Sequence, residues 1–235
     1  MPKSIAIVQS NYIPWKGYFD LINMVDEFVL FDDVQYTRRD WRNRNTIKTA
    51  NGPLWLTIPV DTKGKYHQKI SETTIVDTTW PEKHWRSIVH SYRQAPGFRY
   101  YCDELEELYR GATDRSLSLT NHRFLSRICE WLGITTRLSW SSEYQLDAER
   151  TMRLVGICRQ AGADVYLSGP SARAYLDETM FASEGIAVDY VDYGGYREYP
   201  QLHPPFRHDV SVLDLLLNTG TDAPRYLKSR VGESV

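Results

Sequence analysis

The sequence predicts an α/β fold, in which a mostly parallel, Rossmann-like sheet is flanked by helices within a single domain spanning residues 1–235. Short apolar runs of strand length alternate with segments of helical periodicity, and this alternation is typical of parallel sheets. A chain of 235 residues is long enough for one sizeable core, and no linker, repeat or low-complexity tract divides it. Residues 80–133 carry helical patterns throughout, so we expect them to form a helical insertion packed on the sheet.

Each element is predicted from its periodicity and its terminal residues. Pro81 suits the first turn of a helix, and Gly111, Gly133 and Gly162 each follow a helical run and suit its C-terminal end. Strands are predicted over residues 4–8, 27–33, 53–60, 135–140, 164–169 and 186–193, with an edge strand or hairpin over 69–77. Helices are predicted over residues 15–25, 80–95, 102–111, 118–133, 147–161, 170–185 and 211–220.

The bulk composition argues against several classes of protein. Hydrophobic residues make up 42% of the chain and charged residues 25%, as in ordinary globular proteins. A net charge of −2 argues against a DNA-binding surface, and no run approaches the roughly 18 apolar residues of a membrane span. The 3 cysteines are odd in number and widely spaced, which predicts free thiols in a cytoplasmic protein. The 16 tyrosines and 7 tryptophans suit polyhydroxylated or heterocyclic ligands.

A first polar junction, QSNYIPWKG, follows the first predicted strand. Gln9 and Asn11 can each donate and accept hydrogen bonds, and Pro14 can begin a helix without losing a needed N–H group. Ligands of open parallel sheets bind beyond the carboxyl ends of the strands, so we interpret this stretch as the floor of a ligand pocket. The alternative is a tight turn whose two aromatic side chains lie in the core. Further candidates for substrate binding here are Tyr12, Trp15 and Gly17.

The second junction combines two carboxylates with a cationic patch. Asp32 and Asp33 end the second strand, where they could hold an amine, a sugar hydroxyl or Mg²⁺, or act as a base. No Gly-x-Gly-x-x-Gly follows the first strand, so a dinucleotide site is not supported. Guanidinium groups in the next segment suit phosphates, and its rings suit a base or a sugar; the alternative is a solvated basic loop. These residues are Tyr36, Arg38, Arg39, Trp41, Arg42, Asn43, Arg44 and Lys48.

The third junction, YLSGPSARAYLD, follows a later strand. Ser168 or Ser171 can cap a helix, Pro170 suits the first turn, and Gly169 lets the backbone approach a ligand. This arrangement favours an anion, although it matches neither a P-loop nor a nucleophile elbow. The alternative is a cap without a ligand.

The long loop before the last predicted helix is the fourth candidate region. Tyr199 and Gln201 could form part of a lid over the site. Ser211 suits an N-cap, with Asp214 at the spacing of a capping box. The histidines of this loop lack the spacing of zinc ligands, so no metal site is expected.

Several of these motifs, in order along the chain, resemble the WbqC-like family, first named from bacterial O-antigen clusters. They are IAIVQSNYIPWKGYFDLI, FDDVQYTRRDWRNRNTIKTANGPLWLTIPV, YLSGPSARAYLD and VSVLDLLLNTG, and the resemblance covers about residues 4–220. The family pattern has a proline after the glutamine of the first motif, where this chain has Ser10. By this resemblance the site comprises Gln9, Asn11, Tyr12, Pro14, Trp15, Gly17, Asp32, Asp33, Gln35, Tyr36, Arg42, Asn43, Arg44, Ser168, Gly169 and Ser171.

The resemblance implies transfer of a glycyl or other amino-acyl group onto an amine acceptor, such as an amino-sugar nucleotide, in polysaccharide or secondary-metabolite biosynthesis. Asp32 or Asp33 would accept the amine proton, and Gln9, Asn11 or N–H groups at 168–171 would stabilise the oxyanion. The arginines would hold a diphosphate. The acyl donor would be carrier-bound or tRNA-bound, and no cofactor is specified.

Two other functions remain open. One is an ATP-dependent adenylating ligase, because the first junction faintly resembles nucleotidyltransferases with a His-x-Gly-His signature. Trp15, Lys16, Gly17 and Tyr18 stand where that signature would be, so both histidines are missing. The other is a non-catalytic protein that binds nucleotide sugars.

Overall fold

A computed structural model of the chain describes residues 2–230 and contains a five-stranded parallel sheet and a separate hairpin. The main sheet has the strand order β5-β2-β1-β6-β7, with helices packed on both faces, so the predicted α/β class is confirmed. The strands are β1 (Ser4–Val8), β2 (Glu27–Leu30), β3 (Arg44–Thr49), β4 (Gly52–Thr57), β5 (Arg137–Trp140), β6 (Val165–Ser168) and β7 (Ala187–Tyr190).

The described part of the chain also contains seven α-helices. Three of them form the helical segment predicted over residues 80–133, and the other four alternate with strands or follow the last one. The helix Arg150–Ala161 ends at Gly162, whose φ of 66° is the left-handed conformation that glycine adopts without strain. The helices are α1 (Lys16–Asn23), α2 (Trp80–Tyr92), α3 (Phe98–Arg110), α4 (Leu117–Trp131), α5 (Arg150–Ala161), α6 (Glu178–Ser183) and α7 (Val212–Thr219).

The two faces of the main sheet bury two different apolar clusters. Phe28 and Leu30 on β2 point into the larger cluster, which includes residues of α1, of the three-helix segment and of α7. Val29, between them, points to the opposite face and packs with the smaller cluster under α5 and α6. Burial on both faces explains why central parallel strands read as continuous apolar runs.

The strand predicted over residues 53–60 does not join the main sheet. Its first part is β4, which pairs antiparallel with β3, and the two strands form a hairpin. Because β3 is mainly polar in sequence, its pattern predicts a basic loop and not a strand. The edge strand predicted over residues 69–77 is also absent: within the described residues this segment forms only isolated bridges, such as that between Val60 and Ile75.

The continuous helix predicted over residues 170–185 is wrong. Residues Pro170–Ala174 form a 3-10 turn, and α6 begins only at Glu178. Asp177 interrupts the segment because its side chain accepts a hydrogen bond from the Thr179 N–H group (3.0 Å), which makes it the N-cap of a new helix.

Candidate functional site

The order of the strands creates a crevice at the carboxyl ends of β1 and β6. β2 lies on one side of β1 and β6 on the other, so the chain reverses direction across the sheet at this point. Ligands of open parallel sheets bind at such a topological switch point. A cleft of about 600 Å³ occupies it, and we call it the switch-point cleft. Five residues predicted from the sequence line this cleft, namely Gln9, Gln35, Ser168, Gly169 and Ser171.

Two arginines that the sequence analysis missed lie at the same cleft. Arg150 and Arg153 occupy the first turn of α5 and line one side of it. The Arg150 guanidinium carbon lies 4.4 Å from the centroid of the Tyr175 ring, which also lines the cleft. Arg153 donates hydrogen bonds to the carbonyl oxygens of Asp147 (2.8 Å) and Ala148 (3.2 Å). The local sequence does not distinguish them from solvent-facing arginines of an amphipathic helix, because only the packing of α5 brings them to the cleft.

The loop between β1 and α1 (residues 9–15) is bonded to the segment before β3. Tyr18 donates a hydrogen bond to the Gln9 carbonyl oxygen (2.9 Å). The Arg42 guanidinium contacts the same carbonyl at 3.5 Å and donates a short hydrogen bond to Oδ1 of Asn11. The structure therefore brings the first and second predicted junctions together, with Arg42 between them.

Asp32 is buried and bonded to the protein. Its Oδ1 accepts a 2.8 Å hydrogen bond from the Ser10 N–H group, and its Oδ2 accepts a short one from the Ser118 hydroxyl. Burial raises the pKa of the Asp32 carboxyl, while the Ser118 and Ser10 hydrogen bonds oppose this shift. The side chain is 1% exposed, so it connects the β1–α1 loop to α4 and does not line the cleft.

Asp33 is only partly buried and contacts two other segments. Lys69 Nζ lies 3.3 Å from its Oδ1, and the Ser141 hydroxyl donates a 2.8 Å hydrogen bond to its Oδ2. Ser141 follows β5, so Asp33 joins the ends of β2 and β5. Asp33 is more accessible to solvent than Asp32, the other predicted base, but it does not line the switch-point cleft.

The structure places Tyr12 in the core. Its hydroxyl forms hydrogen bonds with His84 Nδ1 (2.9 Å) and with the Tyr109 hydroxyl (2.7 Å), and its side chain is fully buried. A group so placed cannot contact a ligand without rearrangement of the helical segment. This arrangement corresponds to the alternative in which the aromatic residues of the first junction pack inside.

Trp15 and Gly17 form one packing unit. The Trp15 indole folds back over the start of α1 and meets the rings of Tyr193 (5.3 Å) and Tyr196 (5.5 Å) edge to face. A Cβ atom on Gly17 would lie 2.3 Å from this indole. Gly17 therefore provides space for Trp15, and one face of this tryptophan borders a smaller pocket described below.

The remaining candidates of the second junction support the hairpin and its loop. Tyr36 is buried and its N–H group bonds to the Gln68 carbonyl oxygen (2.9 Å). Asn43 donates a 2.8 Å hydrogen bond from its side chain to the Ile58 carbonyl oxygen. The Arg44 guanidinium carbon lies 4.2 Å from the centroid of the Trp55 ring.

Tyr199 and Gln201 belong to a buried polar network centred on Asp214. The Tyr199 hydroxyl and the Gln201 amide donate to Oδ1 of Asp214 at 2.8 and 2.7 Å. Lys48 Nζ donates a 2.6 Å hydrogen bond to Oε1 of Gln201, which ties β3 to the loop of residues 191–210, here called the C-terminal loop. Ser211 caps α7 as predicted, but Asp214 accepts these hydrogen bonds and forms no capping box.

Lys16, the first residue of α1, is a buried cation that the sequence analysis did not single out. Its Nζ lies 4.8 Å from the ring centroid of Tyr199 and 5.1 Å from that of Tyr196, and it donates a hydrogen bond to the Arg197 carbonyl oxygen. Burial lowers the pKa of Lys16 to about 8, although the nearby Asp20 and Asp214 carboxylates favour the charged form.

The described residues contain neither a candidate metal centre nor a membrane span. No three His, Cys, Asp or Glu side chains within residues 2–230 lie close enough together to hold a metal ion. None of the helices in this range is long and apolar enough to cross a membrane.

Fold and cleft together define a Rossmann-like α/β protein with a polar, arginine-bordered crevice at its switch point. The chain belongs to the WbqC-like protein family, whose model matches residues 9–226. It is also 53% identical over 226 residues to the uncharacterized protein Rv1507c of Mycobacterium tuberculosis (strain ATCC 25618 / H37Rv), covering 96% of this chain and 98% of that one. No solved structure matches the chain.

Proposed function

We propose that the protein is a transferase that binds a phosphate-bearing acceptor, such as an amino-sugar nucleotide, in the switch-point cleft. It moves an amino-acyl group onto the amine of this acceptor. The observation that carries the proposal is the pair Arg150 and Arg153: both line the cleft, and neither forms an ion pair with any residue from 2 to 230. Guanidinium groups that have no carboxylate partner and lie beside a polar cleft favour a phosphate or diphosphate.

The other lining residues suit the remaining parts of such a ligand. Ser168 and Ser171 offer hydroxyl groups at the end of β6, and Gly169 leaves open space because a Cβ atom there would meet only Tyr193 at 3.9 Å. Tyr175, already stacked with Arg150, offers a ring face to a base or sugar. These features support a nucleotide-type ligand over a free amino acid.

The proposed reaction is an aminolysis. The acceptor nitrogen attacks the acyl carbonyl carbon, a C–N bond forms, and the bond from the acyl carbon to its carrier oxygen or sulfur breaks. The amine proton passes to the leaving oxygen or sulfur atom. The Gln9 carboxamide, which lines the cleft, would donate a hydrogen bond to the developing oxyanion. No protein carboxylate is assigned as base, because Asp32 is buried and Asp33 lies outside the cleft lining.

Binding is tested first by thermal shift with UDP-N-acetylglucosamine, ATP·Mg²⁺, acetyl-CoA and glycine. A ligand at about a hundred times its Kd adds about 2.7 kcal/mol, or about 5 to 10 °C in Tm for a chain of this length. We expect a shift with the nucleotide sugar and a much smaller one in the Arg150→Ala/Arg153→Ala double variant. Arg110→Ala, an exposed arginine on α3, is the matched control for the loss of positive charge.

The same experiment separates the alternatives. A shift with ATP·Mg²⁺ alone would favour the adenylating ligase. If the nucleotide sugar shifted the Tm of the double variant as much as that of the unaltered protein, the two arginines would not contribute to binding. Catalysis is then tested by mass spectrometry. A UDP-amino sugar with a free amine is incubated with glycyl-tRNA or a glycyl thioester, and the proposal expects a product heavier by one glycyl group.

One observation favours the second candidate, a binding protein without catalysis. Among the described residues that line the cleft there is no carboxylate, histidine, cysteine or lysine, so a general base would have to come from a substrate. Tight nucleotide-sugar binding without product from either donor would support this candidate and contradict the transferase.

A further inference from the structure

A second pocket lies beside the β1–α1 loop and shares no lining residue with the switch-point cleft. Its volume is about 340 Å³, at the small end of the range for ligand sites. The indoles of Trp15 and Trp41 and the ring of Pro14 form its walls, and His208 and Asp209 of the C-terminal loop border it. We call it the tryptophan pocket.

The outer wall of this pocket is an exposed aromatic stack. Trp41 and Trp55 are each 45% exposed, and their rings are stacked with centroids 5.6 Å apart. The Arg44 guanidinium covers the Trp55 ring in turn, at 4.2 Å from its centroid. Trp41 is therefore held in place from the hairpin side while a large part of its surface stays in water. An indole that is both fixed and exposed is available to cover a ligand.

The polar groups at the pocket are few and of complementary type. Asn11 accepts a hydrogen bond from Arg42 through Oδ1, while its amide nitrogen has no protein partner within residues 2–230. The Asp209 carboxylate stands at the exposed rim and forms an ion pair with Arg207, whose Nε and Nη2 donate hydrogen bonds to its Oδ1 (3.0 Å) and Oδ2 (2.5 Å). The pocket thus offers one amide donor, one carboxylate acceptor and the His208 imidazole, whose Nδ1 is buried without a hydrogen-bond partner among residues 2–230.

We propose that the tryptophan pocket binds a single pyranose ring of a saccharide. The C–H groups on one face of a pyranose pack against an indole, and its hydroxyls donate to a carboxylate and accept from an amide. The volume holds one such ring. This site is independent of the ligand proposed for the switch-point cleft and adds a second binding function to the chain.

The test is a titration of the intact protein with five free pyranoses: glucose, galactose, mannose, rhamnose and N-acetylglucosamine. Intrinsic tryptophan fluorescence and saturation-transfer NMR report binding. We expect at least one sugar to change the fluorescence and to receive saturation on its ring C–H protons. Trp41→Ala should weaken its binding at least about tenfold, because it removes one stacking surface worth more than about 1.4 kcal/mol.

Tyr66→Ala is the matched control, because Tyr66 is an aromatic residue with 74% exposure that does not line the pocket. It should bind the same sugar as tightly as the unaltered protein, and Trp41→Phe should recover part of the loss. The proposal is overturned if none of the five sugars binds at about 100 mM, or if Trp41→Ala binds unchanged. Preferential binding of adenosine at this pocket would also overturn it. Retained nucleotide-sugar binding in Trp41→Ala would show that the two sites are separate.

Discussion

Tyr92 on α2 donates a 2.7 Å hydrogen bond to Oδ2 of Asp214 on α7, and this contact joins the helical segment to the last helix. The same tyrosine oxygen accepts a 2.9 Å hydrogen bond from the Lys48 N–H group of β3. Asp214 also accepts hydrogen bonds from the Tyr199 hydroxyl and the Gln201 amide. One buried carboxylate therefore connects α7, α2 and the C-terminal loop. Its burial raises the pKa of the carboxyl, while the Tyr92, Tyr199 and Gln201 hydrogen bonds act in the opposite direction.

Asp214 should therefore be among the most sensitive polar positions. Asp214→Ala leaves the buried hydroxyls of Tyr92 and Tyr199 without their acceptor and removes one of the acceptors of the Gln201 amide, so we expect a loss of about 3 to 5 kcal/mol in the free energy of unfolding. Tyr199→Phe removes a single donor and should cost about 1 kcal/mol. Urea denaturation measures both. Asp222→Ala, an exposed aspartate beyond α7, is the control and should change stability by less than about 0.5 kcal/mol. Equal losses of stability in Asp214→Ala and Asp222→Ala would contradict a stabilising role for the Asp214 network.

Asp32 is expected to act in stability and not as a base. Asp32→Ala removes the acceptor of the buried Ser10 N–H group and should cost about 2 to 4 kcal/mol, while Asp32→Asn keeps one acceptor oxygen and should cost less. Asp33→Asn is the comparison, because its partner Lys69 is exposed and the loss should stay below about 1 kcal/mol. Stability is measured by urea denaturation. A fully stable Asp32→Asn that loses turnover would contradict this assignment and make Asp32 catalytic.

The alternation of strands and helices predicted the fold because it depends on local periodicity and on the general behaviour of parallel sheets. The hairpin of β3 and β4 was missed because β3, RNTIKT, is mainly polar and pairs only with β4. Its alternation is hidden by Asn45, which is buried because its amide donates to the carbonyl oxygens of Tyr12 and Ile13. Such a contact is not visible in a local sequence pattern.

Some residues of the candidate site could be predicted from the sequence and others could not. Gln9 and Ser168 were predicted from their place after strands, and the structure puts both at the switch-point cleft. The position of Tyr12 was not predictable, because its partners His84 and Tyr109 lie 72 and 97 residues away along the chain. Arg153 was overlooked because an arginine on an amphipathic helix usually faces solvent, and only the packing of α5 beside β1 and β6 brings it to the cleft.

His84 should make the stability of the protein depend on pH. Burial lowers its pKa from 6.5 to about 4, against the opposing effect of the hydrogen bond to the Thr57 carbonyl oxygen. Between pH 6.5 and 4 the unfolded chain binds more protons at this residue, so stability falls as pH is lowered through that window and is fully present above it. We expect the wild-type protein to lose about 2 to 3 kcal/mol more than His84→Gln over this range.

Urea denaturation at a series of pH values measures the difference. His90→Gln is the control, because His90 is exposed on the same helix, and it should follow the wild-type curve. If His84→Gln and the wild-type protein show parallel curves between pH 4 and 6.5, His84 does not carry this dependence.

Gly17→Ala should destabilise the protein although alanine is the better helix former. The added Cβ would lie 2.3 to 2.7 Å from Trp15 indole atoms, so the indole must leave its position against Tyr193 and Tyr196. Overpacking of this kind costs about 1 to 3 kcal/mol, which exceeds the gain of up to about 1 kcal/mol in helix propensity. Because Trp15 also forms a wall of the tryptophan pocket, saccharide binding there should weaken as well.

Gly156→Ala separates the clash from the general effect of a methyl group in a helix. Gly156 lies within α5, where the nearest atom to an added Cβ is the Gln160 amide nitrogen at 3.9 Å. This substitution should therefore stabilise the protein by about 0.5 to 1 kcal/mol. If the Trp15 indole occupies the position that a Cβ atom on Gly17 would take, thermal unfolding should show a lower Tm for Gly17→Ala and a higher Tm for Gly156→Ala. A stabilising shift for both would mean that the indole moves at no cost and that its contacts with the C-terminal loop contribute little.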